Sequence, residues 1–463
     1  MTAGSTLPTS FLLSLQDTVG STNVLTDLDR CTSYGVDALG LGHRADAVVL
    51  PNSTVQVAAI LNLCNAHEIP ITPRGAGTGY TGGAVPVKGG IVLAFDRLNR
   101  ILEIDKSNLL AIVQPNVVTG TLQQAVERIG LFYPPDPASL NQSVIGGNVA
   151  ECAGGPRAFK YGTTKRYVLG LEAVLVNGKI IRTGGKSVKN VVGYDLTSLL
   201  VGSEGTLAIV TEIILRLIPR PISRSTLHVS CQSIEQAIAA VDAIILDGVI
   251  PAALELVDAD CIEAMELHRE SRNLSGLGAA LLIEVDGMPA AVREEAARVG
   301  QACKSIGLKV RTAKTTAERK RLWDERRNLS LALRARAPKK VNHDVVVPKG
   351  RIPQLFKEIQ RLKTTYCLPI PSFGHVGDGN IHVNILLDPD NPLEVKRAAA
   401  AEAELFQSVV ALEGSITGEH GIGFSKSKFL GLELSDDTID TMRRLKHTFD
   451  PKGILNPGKI FPR

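Results

Sequence analysis

A run of glycines at residues 73–83 constrains the fold more than any other part of the sequence. It reads Pro-Arg-Gly-Ala-Gly-Thr-Gly-Tyr-Thr-Gly-Gly, with five glycines in its last nine positions. A backbone without Cβ atoms can turn sharply and can bring its N–H groups against a phosphate. The spacing of Gly77, Gly79 and Gly82 even matches the dinucleotide fingerprint G-x-G-x-x-G. The residues that follow decide which nucleotide such a loop can hold.

The segment after Gly82 argues against a Rossmann fold. A Rossmann fingerprint needs a helix directly after its third glycine, because the helix N-terminus holds the pyrophosphate. Here the chain passes instead through Pro86 to a predicted strand at 90–95. Two further glycine clusters follow, at 145–155 and 202–205. Three clusters favour a long ligand that touches backbone at several points over the simpler alternative of a flexible surface turn.

Composition places the chain among globular proteins and excludes several functions. Its 463 residues suffice for two or three domains, and 44% are hydrophobic and 21% charged. A net charge of +4 with 4% aromatic residues gives no basis for a nucleic-acid partner. The seven cysteines are scattered without a C-x-x-C pair, which argues against disulfides, structural zinc and an iron–sulfur cluster of this chain's own. We expect a cytoplasmic protein without a transmembrane segment, and peripheral attachment to the inner face of the membrane stays open.

Turn residues and capping signals divide the chain into segments. Residues 1–41 form an N-terminal leader with a short helix. A capping box at Ser53 predicts a helix that ends near His67. Short strands and helices then follow up to Pro219-Arg-Pro221, which we interpret as a domain boundary.

The segments around this boundary carry further expectations. The glycine-rich stretch 134–165 lacks periodicity and is expected to be irregular. Strands at 279–285 and 308–312 flank a helix, and this order predicts a sheet covered by helices. One basic helix is predicted over 316–333.

The glycine clusters carry a resemblance to known flavoproteins. Residues 73–79, 135–137, 146–148, 161–162 and 202–206 resemble, in order and spacing, the FAD-binding domain of the vanillyl-alcohol oxidase/para-cresol methylhydroxylase superfamily. The resemblance implies a two-lobed, PCMH-type FAD-binding domain over residues 42–221, with the first glycine loop at the FAD pyrophosphate. Relatives often attach FAD to a histidine near this loop, whereas here no histidine lies between residues 68 and 227. We therefore expect non-covalent FAD.

The same resemblance implies which residues contact FAD, and most of them come from the glycine clusters. They are Arg74, Gly75, Ala76, Gly77, Thr78, Gly79, Gly82, Pro135, Asp136, Ser139, Gly146, Gly147, Asn148, Gly155, Tyr161, Gly162, Glu204, Gly205, Ile209 and Asn456.

A second motif is the run Gly374-His375-Val-Gly-Asp-Gly-Asn-Ile-His382. The offset of seven is odd, so one unbroken strand would point the two rings to opposite faces. The segment Gly377-Asp-Gly379 breaks the strand and lets the rings converge. Beyond it, His382 and Asn384 alternate with apolar residues and share a polar face. By spacing alone, the two histidines fit a metal pair and hydrogen-bonded loop imidazoles equally well.

The run Thr417-Gly-Glu-His-Gly421 favours the metal. Neighbouring side chains in extended backbone diverge, so Glu419 and His420 can serve different partners. Two histidines and one carboxylate form an open divalent site with room for water or substrate. His420 is then a candidate general base, because imidazole titrates near neutral pH.

These motifs resemble the C-terminal domain of FAD-linked oxidases, which include D-lactate dehydrogenases, D-2-hydroxyglutarate dehydrogenases and glycolate oxidase flavoprotein subunits. The resemblance implies that His375, His382 and Glu419 bind a divalent metal, with zinc as first choice and manganese or iron as alternatives. It also implies that His420 takes the hydroxyl proton of the substrate.

The implied fold class is α+β. Behind the FAD domain, a substrate-binding cap domain at 222–415 has an antiparallel sheet covered by helices, and the segment 416–463 returns to the FAD site.

Substrate recognition is predicted from a basic helix. Arg326 and Ser330 are four residues apart, share a helix face, and match positions where relatives hold the substrate carboxylate, to which we add Asn384. A solvated basic helix is the competing interpretation, since further arginines and lysines lie close by in the sequence. Hydroxyglutarate-type relatives carry a lysine where this chain has Asn342, so glycolate or D-lactate is favoured.

The predicted function is FAD-dependent oxidation of a small D-2-hydroxy acid to the 2-oxo acid, with hydride transfer to flavin N5. Electrons are expected to pass to an iron–sulfur subunit, a second flavoprotein subunit, an electron-transfer flavoprotein or a quinone, and a homodimer is also open. One alternative is a D-2-hydroxyglutarate dehydrogenase. Two others are an enzyme for a lipid or sugar alcohol and a non-catalytic subunit that holds FAD as an electron relay, and the metal motif argues against both.

Overall fold

A computed structural model describes residues 7–40, 42–269 and 276–462. Residues 1–6 and 41 of the predicted leader lie outside the described residues, while its helix is present at Thr9–Val19. The described chain divides into two compact units. The first is drawn from Met1–Gly154, Thr163–Arg220 and Glu419–Arg463, and the second from Gly155–Gly162 and Pro221–Gly418.

The strands of the described chain are numbered in chain order. They are β1 (Val24–Leu25), β2 (Ala47–Val49), β3 (Ile71–Arg74), β4 (Ile91–Ala94), β5 (Ile101–Asp105), β6 (Leu110–Val113), β7 (Leu131–Phe132), β8 (Val168–Val174), β9 (Ile180–Gly184), β10 (Ile209–Arg216), β11 (Ile218–Pro219), β12 (Ser223–Cys231), β13 (Ala253–Asp258), β14 (Ala279–Gly287), β15 (Lys309–Thr312), β16 (Lys339–Val346), β17 (Ser372–His375) and β18 (Asn380–Leu387).

The helices are numbered in the same way. They are α1 (Thr9–Val19), α2 (Leu28–Ser33), α3 (Thr54–His67), α4 (Thr119–Glu127), α5 (Ile145–Glu151), α6 (Ala158–Tyr161), α7 (Leu196–Leu200), α8 (Ile234–Leu246), α9 (Ala259–Arg269), α10 (Pro289–Ser305), α11 (Thr316–Arg327), α12 (Leu329–Arg334), α13 (Ile352–Tyr366), α14 (Pro392–Ala411), α15 (Leu430–Glu433) and α16 (Asp436–Phe449). Short 3₁₀ turns occur at Ser21–Asn23, Thr164–Tyr167, Lys349–Arg351 and Ser427–Phe429.

The first unit contains two sheets, which correspond to the two predicted lobes. One has the order β1-β2-β4-β3, with β4 parallel to both β2 and β3. The other is antiparallel with the order β5-β6-β10-β8-β9. A short ribbon joins β7 to β11. The glycine loop connects β3 to β4 through turns without a helix, so the prediction that this is not a Rossmann fold is confirmed.

Helix α3 shows why this lobe folds as it does. The Ser53 hydroxyl oxygen accepts a hydrogen bond from the Gln56 backbone N–H at 3.3 Å, which confirms the predicted cap. The stripe that includes Val57, Ile60 and Leu61 is fully buried in one core cluster with residues of β2 and β4. Burying such a stripe stabilises the helix by far more than its cap does, since each large aliphatic side chain contributes about 1.5–3 kcal/mol.

The second unit is built on one antiparallel sheet with the order β15-β12-β14-β13-β17-β18-β16. Helices α9 and α12 pack on one face, in a cluster that contains Val257 and Phe373. On the opposite face, α14 contacts β16 through Phe406 and His343, whose rings are 5.2 Å apart. The sequence-based expectation of an antiparallel sheet covered by helices is confirmed.

Two predictions of local structure were wrong. The predicted helix 316–333 is broken at Asn328 into α11 and α12. The two halves pack against different patches, since Leu322 and Trp323 of α11 contact β13 and β14, whereas α12 packs against α9. The stretch 134–165, predicted to be irregular, contains α5 and α6. Among the described helices, none combines the length and apolarity needed to span a membrane.

Candidate functional site

The three glycine clusters meet within the first unit, together with the C-terminal segment. The Asn456 side chain donates from Nδ2 to the carbonyl oxygens of Gly83, at 2.9 Å, and of Glu204, at 2.7 Å. The backbone N–H of Glu204 donates to the carbonyl of Ala150 in α5 at 2.9 Å. Segments that are far apart in the sequence thus form one backbone-rich region, as a long ligand with several backbone contacts requires.

Glycine is required at two points of this region. Gly205 has φ +66°, and a Cβ there would lie 2.4 Å from Cγ of Pro73. Gly77 has φ +68°, and its Cβ would lie 2.2 Å from the guanidinium of Arg74. Both positions have a left-handed backbone, so another residue would be strained there and would displace the Pro73 ring or the Arg74 side chain.

Arg74 provides the positive charge of this loop. Burial lowers the pKa of its guanidinium, although Tyr34, Asp37 and Asp96 partly offset the effect. Its Nη1 atom is buried and has no hydrogen-bond partner among the described residues. A half-buried cation with an open donor fits an anionic ligand, and the diphosphate of FAD is such a group.

Further predicted FAD contacts of the first unit lie before α5, within α5 and at the start of β10. Pro135, Asp136 and Ser139 lie in the loop before α5, where Gln123 Nε2 donates to the Pro135 carbonyl at 2.8 Å. The first turns of α5 contain Gly146, Gly147 and Asn148, and β10 begins at Ile209.

Three predicted FAD contacts, Gly155, Tyr161 and Gly162, belong to the second unit. There the Tyr161 hydroxyl donates to the carboxylate of Asp286 at 2.8 Å, and Lys160 Nζ donates to the same carboxylate at 2.8 Å. The FAD role of these three residues stays a prediction.

His375 and His382 converge in the second unit. His375 ends β17, His382 lies on β18, and the turn between these strands contains Gly377-Asp-Gly379. Both rings are buried, their centroids are 5.2 Å apart, and their Nε2 atoms are 3.5 Å apart. The prediction that the glycine turn brings the rings together is confirmed.

A buried carboxylate lies behind each of these rings. His375 Nδ1 is 2.6 Å from Oε1 of Glu255, and His382 Nδ1 is 3.8 Å from Oδ1 of Asp344. Burial raises the pKa of Glu255, but His375 and Arg326 outweigh burial and hold it below its usual value. A carboxylate beside Nδ1 orients a histidine ring and leaves its Nε2 atom to bind a ligand, so both Nε2 atoms here suit one shared ligand.

Asp344 also fixes the chain at the end of this unit. Its Oδ2 accepts a hydrogen bond from the backbone N–H of Gly418 at 2.8 Å. Glu419 is the next residue and begins the C-terminal part of the first unit, so its role as third metal ligand stays a prediction. The two imidazole nitrogens are donors that suit a divalent metal.

His420 lies against the first glycine loop within the first unit. Its ring stacks on Tyr80, with centroids 5.2 Å apart and an interplanar angle of 21°. Its carbonyl oxygen accepts a hydrogen bond from the Thr81 hydroxyl at 3.1 Å. The predicted base is thus held by the loop that is predicted to bind the FAD pyrophosphate.

Glu204 orders the backbone that follows the base. Its carboxylate accepts hydrogen bonds from the N–H groups of Ile422, at 2.8 Å, and Gly423, at 2.7 Å. Burial raises the pKa of Glu204, while these two N–H donors act in the opposite direction. Glu204 was predicted from the sequence to contact FAD, and its bonds to this segment were not predicted.

The predicted substrate residues lie in the second unit. The guanidinium of Arg326 forms an ion pair with Glu255 at 2.5 Å, and its carbon lies 4.5 Å from the centre of the Phe373 ring. Its Nε is buried without a hydrogen-bond partner in the described chain. The expectation that Arg326 and Ser330 share one helix face was wrong, because the helix break at Asn328 places them on α11 and α12.

Ser330 and Asn384 already have protein partners. The Ser330 hydroxyl accepts a hydrogen bond from Lys340 Nζ at 2.6 Å. Asn384 Oδ1 accepts one from Asn342 Nδ2 at 2.8 Å, and Asn384 Nδ2 donates to the Pro371 carbonyl at 3.1 Å. Their substrate roles stay predictions.

Three charged residues were not predicted from the sequence, namely Glu255, Asp344 and Lys340. Glu255 and Asp344 are buried charges near apolar residues of a strand, and such charges are buried only when paired, whereas Lys340 is half-buried. Glu255 lies between Leu254 and Leu256, a pattern that indicates a partner without identifying it.

Comparisons with known proteins agree with this geometry. One family model, described as FAD linked oxidases, C-terminal domain, matches residues 220–460, and another, described as FAD binding domain, matches residues 45–184. The glycolate oxidase subunit GlcD of Bacillus subtilis is 45% identical over 90% of this chain and 89% of its own length. The D-lactate dehydrogenase of Anaerostipes hadrus is 36% identical over 90% of each chain. A crystal structure of p-cresol methylhydroxylase with bound substrate has a TM-score of 0.83 at 19% identity, covers 99% of this chain and 98% of its own, and shows the shared fold.

Proposed function

This chain belongs to the family of FAD-linked oxidases, and on that premise we propose that it oxidises a small D-2-hydroxy acid to the 2-oxo acid with FAD as electron acceptor. The observation that carries the proposal is the pair of buried histidines whose Nε2 atoms are 3.5 Å apart, with a carboxylate behind each ring. Such a pair is suited to hold a metal beside the substrate, and a FAD-binding protein that only relays electrons has no use for it.

His375, His382 and Glu419 would hold a divalent metal, with zinc as first choice and manganese or iron as alternatives. The loop 73–83, with Arg74 as its cation, and the Gly202–Thr206 turn would hold FAD without a covalent bond. When bound, the metal lowers the pKa of a coordinated hydroxyl, and FAD accepts a hydride at N5.

The residues of the chain itself supply binding and proton transfer. Arg326 offers its buried Nε to the substrate carboxylate, and Ser330 and Asn384 add polar contacts on the same unit. His420 takes the proton of the C2 hydroxyl while the C2 hydrogen leaves with two electrons. The C–O single bond thereby becomes the carbonyl of the 2-oxo acid. His420 suits this role because it follows Glu419 directly in the chain and is held by stacking on Tyr80.

Glycolate and D-lactate are the proposed substrates. Relatives named glycolate oxidase subunit and D-lactate dehydrogenase match nine-tenths of the chain at 45% and 36% identity. In addition, the chain has Asn342, hydrogen-bonded to Asn384, where hydroxyglutarate-type relatives carry a lysine. A neutral amide at this position offers no positive charge to pair with the second carboxylate of D-2-hydroxyglutarate.

The reduced flavin must pass its electrons on. The word "subunit" in the name of the Bacillus subtilis relative favours a multi-subunit assembly. We propose an iron–sulfur subunit or a second flavoprotein subunit as acceptor, with an electron-transfer flavoprotein or a quinone as alternatives. The protein would act in the cytoplasm.

Anaerobic stopped-flow reduction of the FAD-loaded protein tests the proposal. Glycolate, D-lactate, L-lactate and D-2-hydroxyglutarate are mixed separately with the protein while the absorbance of the oxidised flavin is followed. We expect rapid bleaching by glycolate or D-lactate, slow or no bleaching by the other two acids, and loss of bleaching after metal chelation. A flavin that stays oxidised with all four acids would refute the proposed function.

A further inference from the structure

The buried carboxylate of Glu255 joins two side chains to which the sequence analysis gave separate roles. Glu255 lies on β13 with 0% of its surface exposed. Its Oε1 is 2.6 Å from His375 Nδ1, and its Oε2 is 2.5 Å from Nη2 of Arg326. All three residues belong to the second unit, so this bridge is internal to one compact unit.

The contact with His375 determines which ring nitrogen can bind a metal. A carboxylate at Nδ1 favours the tautomer with the proton on that nitrogen, so Nε2 keeps its lone pair. In this chain the Nε2 in question faces Nε2 of His382. Glu255 therefore fixes both the tautomer and the plane of one proposed metal ligand.

The contact with Arg326 determines which part of the guanidinium is available. Glu255 occupies Nη2, and the ring of Phe373 lies 4.5 Å from the guanidinium carbon. These two contacts fix the plane of the group, and the buried Nε stays without a hydrogen-bond partner in the described residues. Without Glu255, a buried cation would have lost its counter-ion and its orientation.

We propose that Glu255 is a positioning residue that orients the metal ligand His375 and the substrate-binding Arg326 at the same time. The inference rests on the proposed function, because both of these roles belong to it. Its consequence is a coupling: one carboxylate supports metal binding and substrate binding, so its loss weakens both, whereas loss of Arg326 weakens substrate binding alone.

The test compares three variants of the FAD-loaded protein. Glu255→Gln keeps the shape of the side chain and removes its charge. Arg326→Gln leaves the Glu255–His375 contact in place. Glu284→Gln is the matched control, because Glu284 is a buried carboxylate on the neighbouring strand β14 whose bonds go to Trp323 and Thr226 instead. The Zn²⁺ dissociation constant is measured by chelator competition, and KM and kcat are measured with glycolate or D-lactate.

We expect Glu255→Gln to raise the Zn²⁺ dissociation constant about 10–100-fold, the usual effect of losing a carboxylate behind a metal-bound histidine, and to raise KM as well. Arg326→Gln should raise KM with an unchanged Zn²⁺ constant. Glu284→Gln should change neither constant. If Glu255→Gln fails to fold, the double variant Glu255→Gln/Arg326→Gln removes the unpaired cation, and its Zn²⁺ constant should still rise relative to Arg326→Gln.

The inference would be overturned if Glu255→Gln had the same Zn²⁺ dissociation constant and the same KM as Glu284→Gln. It would also be overturned if only one of these two constants rose in Glu255→Gln. Failure of the proposed function is recognised separately, because it shows in the wild-type protein as absence of Zn²⁺ binding or of flavin reduction by any hydroxy acid.

Discussion

Replacement of Glu204 by Gln tests whether the third glycine cluster orders the segment that carries the base. The Glu204 carboxylate accepts hydrogen bonds from Ile422 N–H at 2.8 Å and from Gly423 N–H at 2.7 Å. A Gln side chain can accept only one of them and turns its NH₂ group towards the other donor. Hydrogen bonds to charged groups contribute about 1.5–3 kcal/mol each, so the segment after His420 should lose about 2 kcal/mol.

A loss of about 2 kcal/mol corresponds to about a thirtyfold change in an equilibrium constant. Flavin reduction by the best hydroxy acid should therefore slow by as much as about thirtyfold in Glu204→Gln. The FAD content should change little, because the backbone carbonyl that Asn456 binds is untouched. Stopped-flow reduction and the FAD-to-protein ratio are the two measurements.

Glu172→Gln is the matched control. Glu172 is a half-buried carboxylate of the same unit whose hydrogen bonds go to Thr54, Thr211 and Arg182. Its replacement should lower thermal stability and leave the reduction rate of the flavin close to that of the wild type. A Glu204→Gln protein that is reduced as fast as this control would refute the ordering role of Glu204.

Further predictions concern His420, Lys340, Gly421 and the attachment of FAD. His420→Ala should keep FAD bound and lose about 10²–10⁴-fold in flavin reduction rate, whereas fast bleaching in this variant would remove the base assignment. Burial, with a contribution from Arg334, lowers the pKa of Lys340 to about 8. Because the ammonium group beside Ser330 loses its charge as pH rises through about 8, the KM for the hydroxy acid should increase there. A Lys340→Gln protein whose KM has the same pH profile would contradict this prediction. Between pH about 8 and the ordinary pKa of 10.5, Lys340 is less protonated in the folded protein than in the unfolded chain. The free energy of unfolding should therefore rise with pH across this window. Gly421→Ala should lower the melting temperature and the rate of flavin reduction, because Gly421 has φ +76° and a Cβ would lie 2.1 Å from Oε2 of Glu151. Gly431→Ala is the control and should be neutral, because there is open space at its Cβ. Equal melting temperatures of the two variants would contradict the predicted strain at Gly421. Denaturation should release all FAD into the supernatant, and flavin that stays with the precipitated protein would contradict non-covalent binding.

Local signals made the cofactor loop and the histidine turn predictable. The chain after Gly82 has no helix-forming pattern, and this property alone distinguishes the loop from a Rossmann fingerprint. The segment Gly377-Asp-Gly379 breaks a strand, so the odd offset between His375 and His382 no longer holds the two rings on opposite faces and they can converge. Both inferences depend on residues within a few positions of one another, where backbone geometry determines the outcome.

Contacts between distant segments were not predictable in the same way. Glu255 meets His375 across 120 residues, and no local pattern identifies that partner. Helix α5 was missed because Gly146 and Gly147 have low helix propensity. Tertiary packing overrides this propensity, since a Cβ at Gly146 would lie 2.5 Å from Cβ of Pro115. The break at Asn328 likewise follows from the packing of α11 and α12 against different patches.

In the proposed reaction, this chain converts a small 2-hydroxy acid to a 2-oxo acid while its own FAD is reduced. A single-turnover experiment without oxygen measures this directly, by mixing FAD-loaded, metal-loaded protein with glycolate or D-lactate and quantifying the organic product. We expect one equivalent of 2-oxo acid for each FAD reduced, and none after His420→Ala. Flavin reduction without 2-oxo acid, or an oxidised flavin with unchanged substrate, would contradict it.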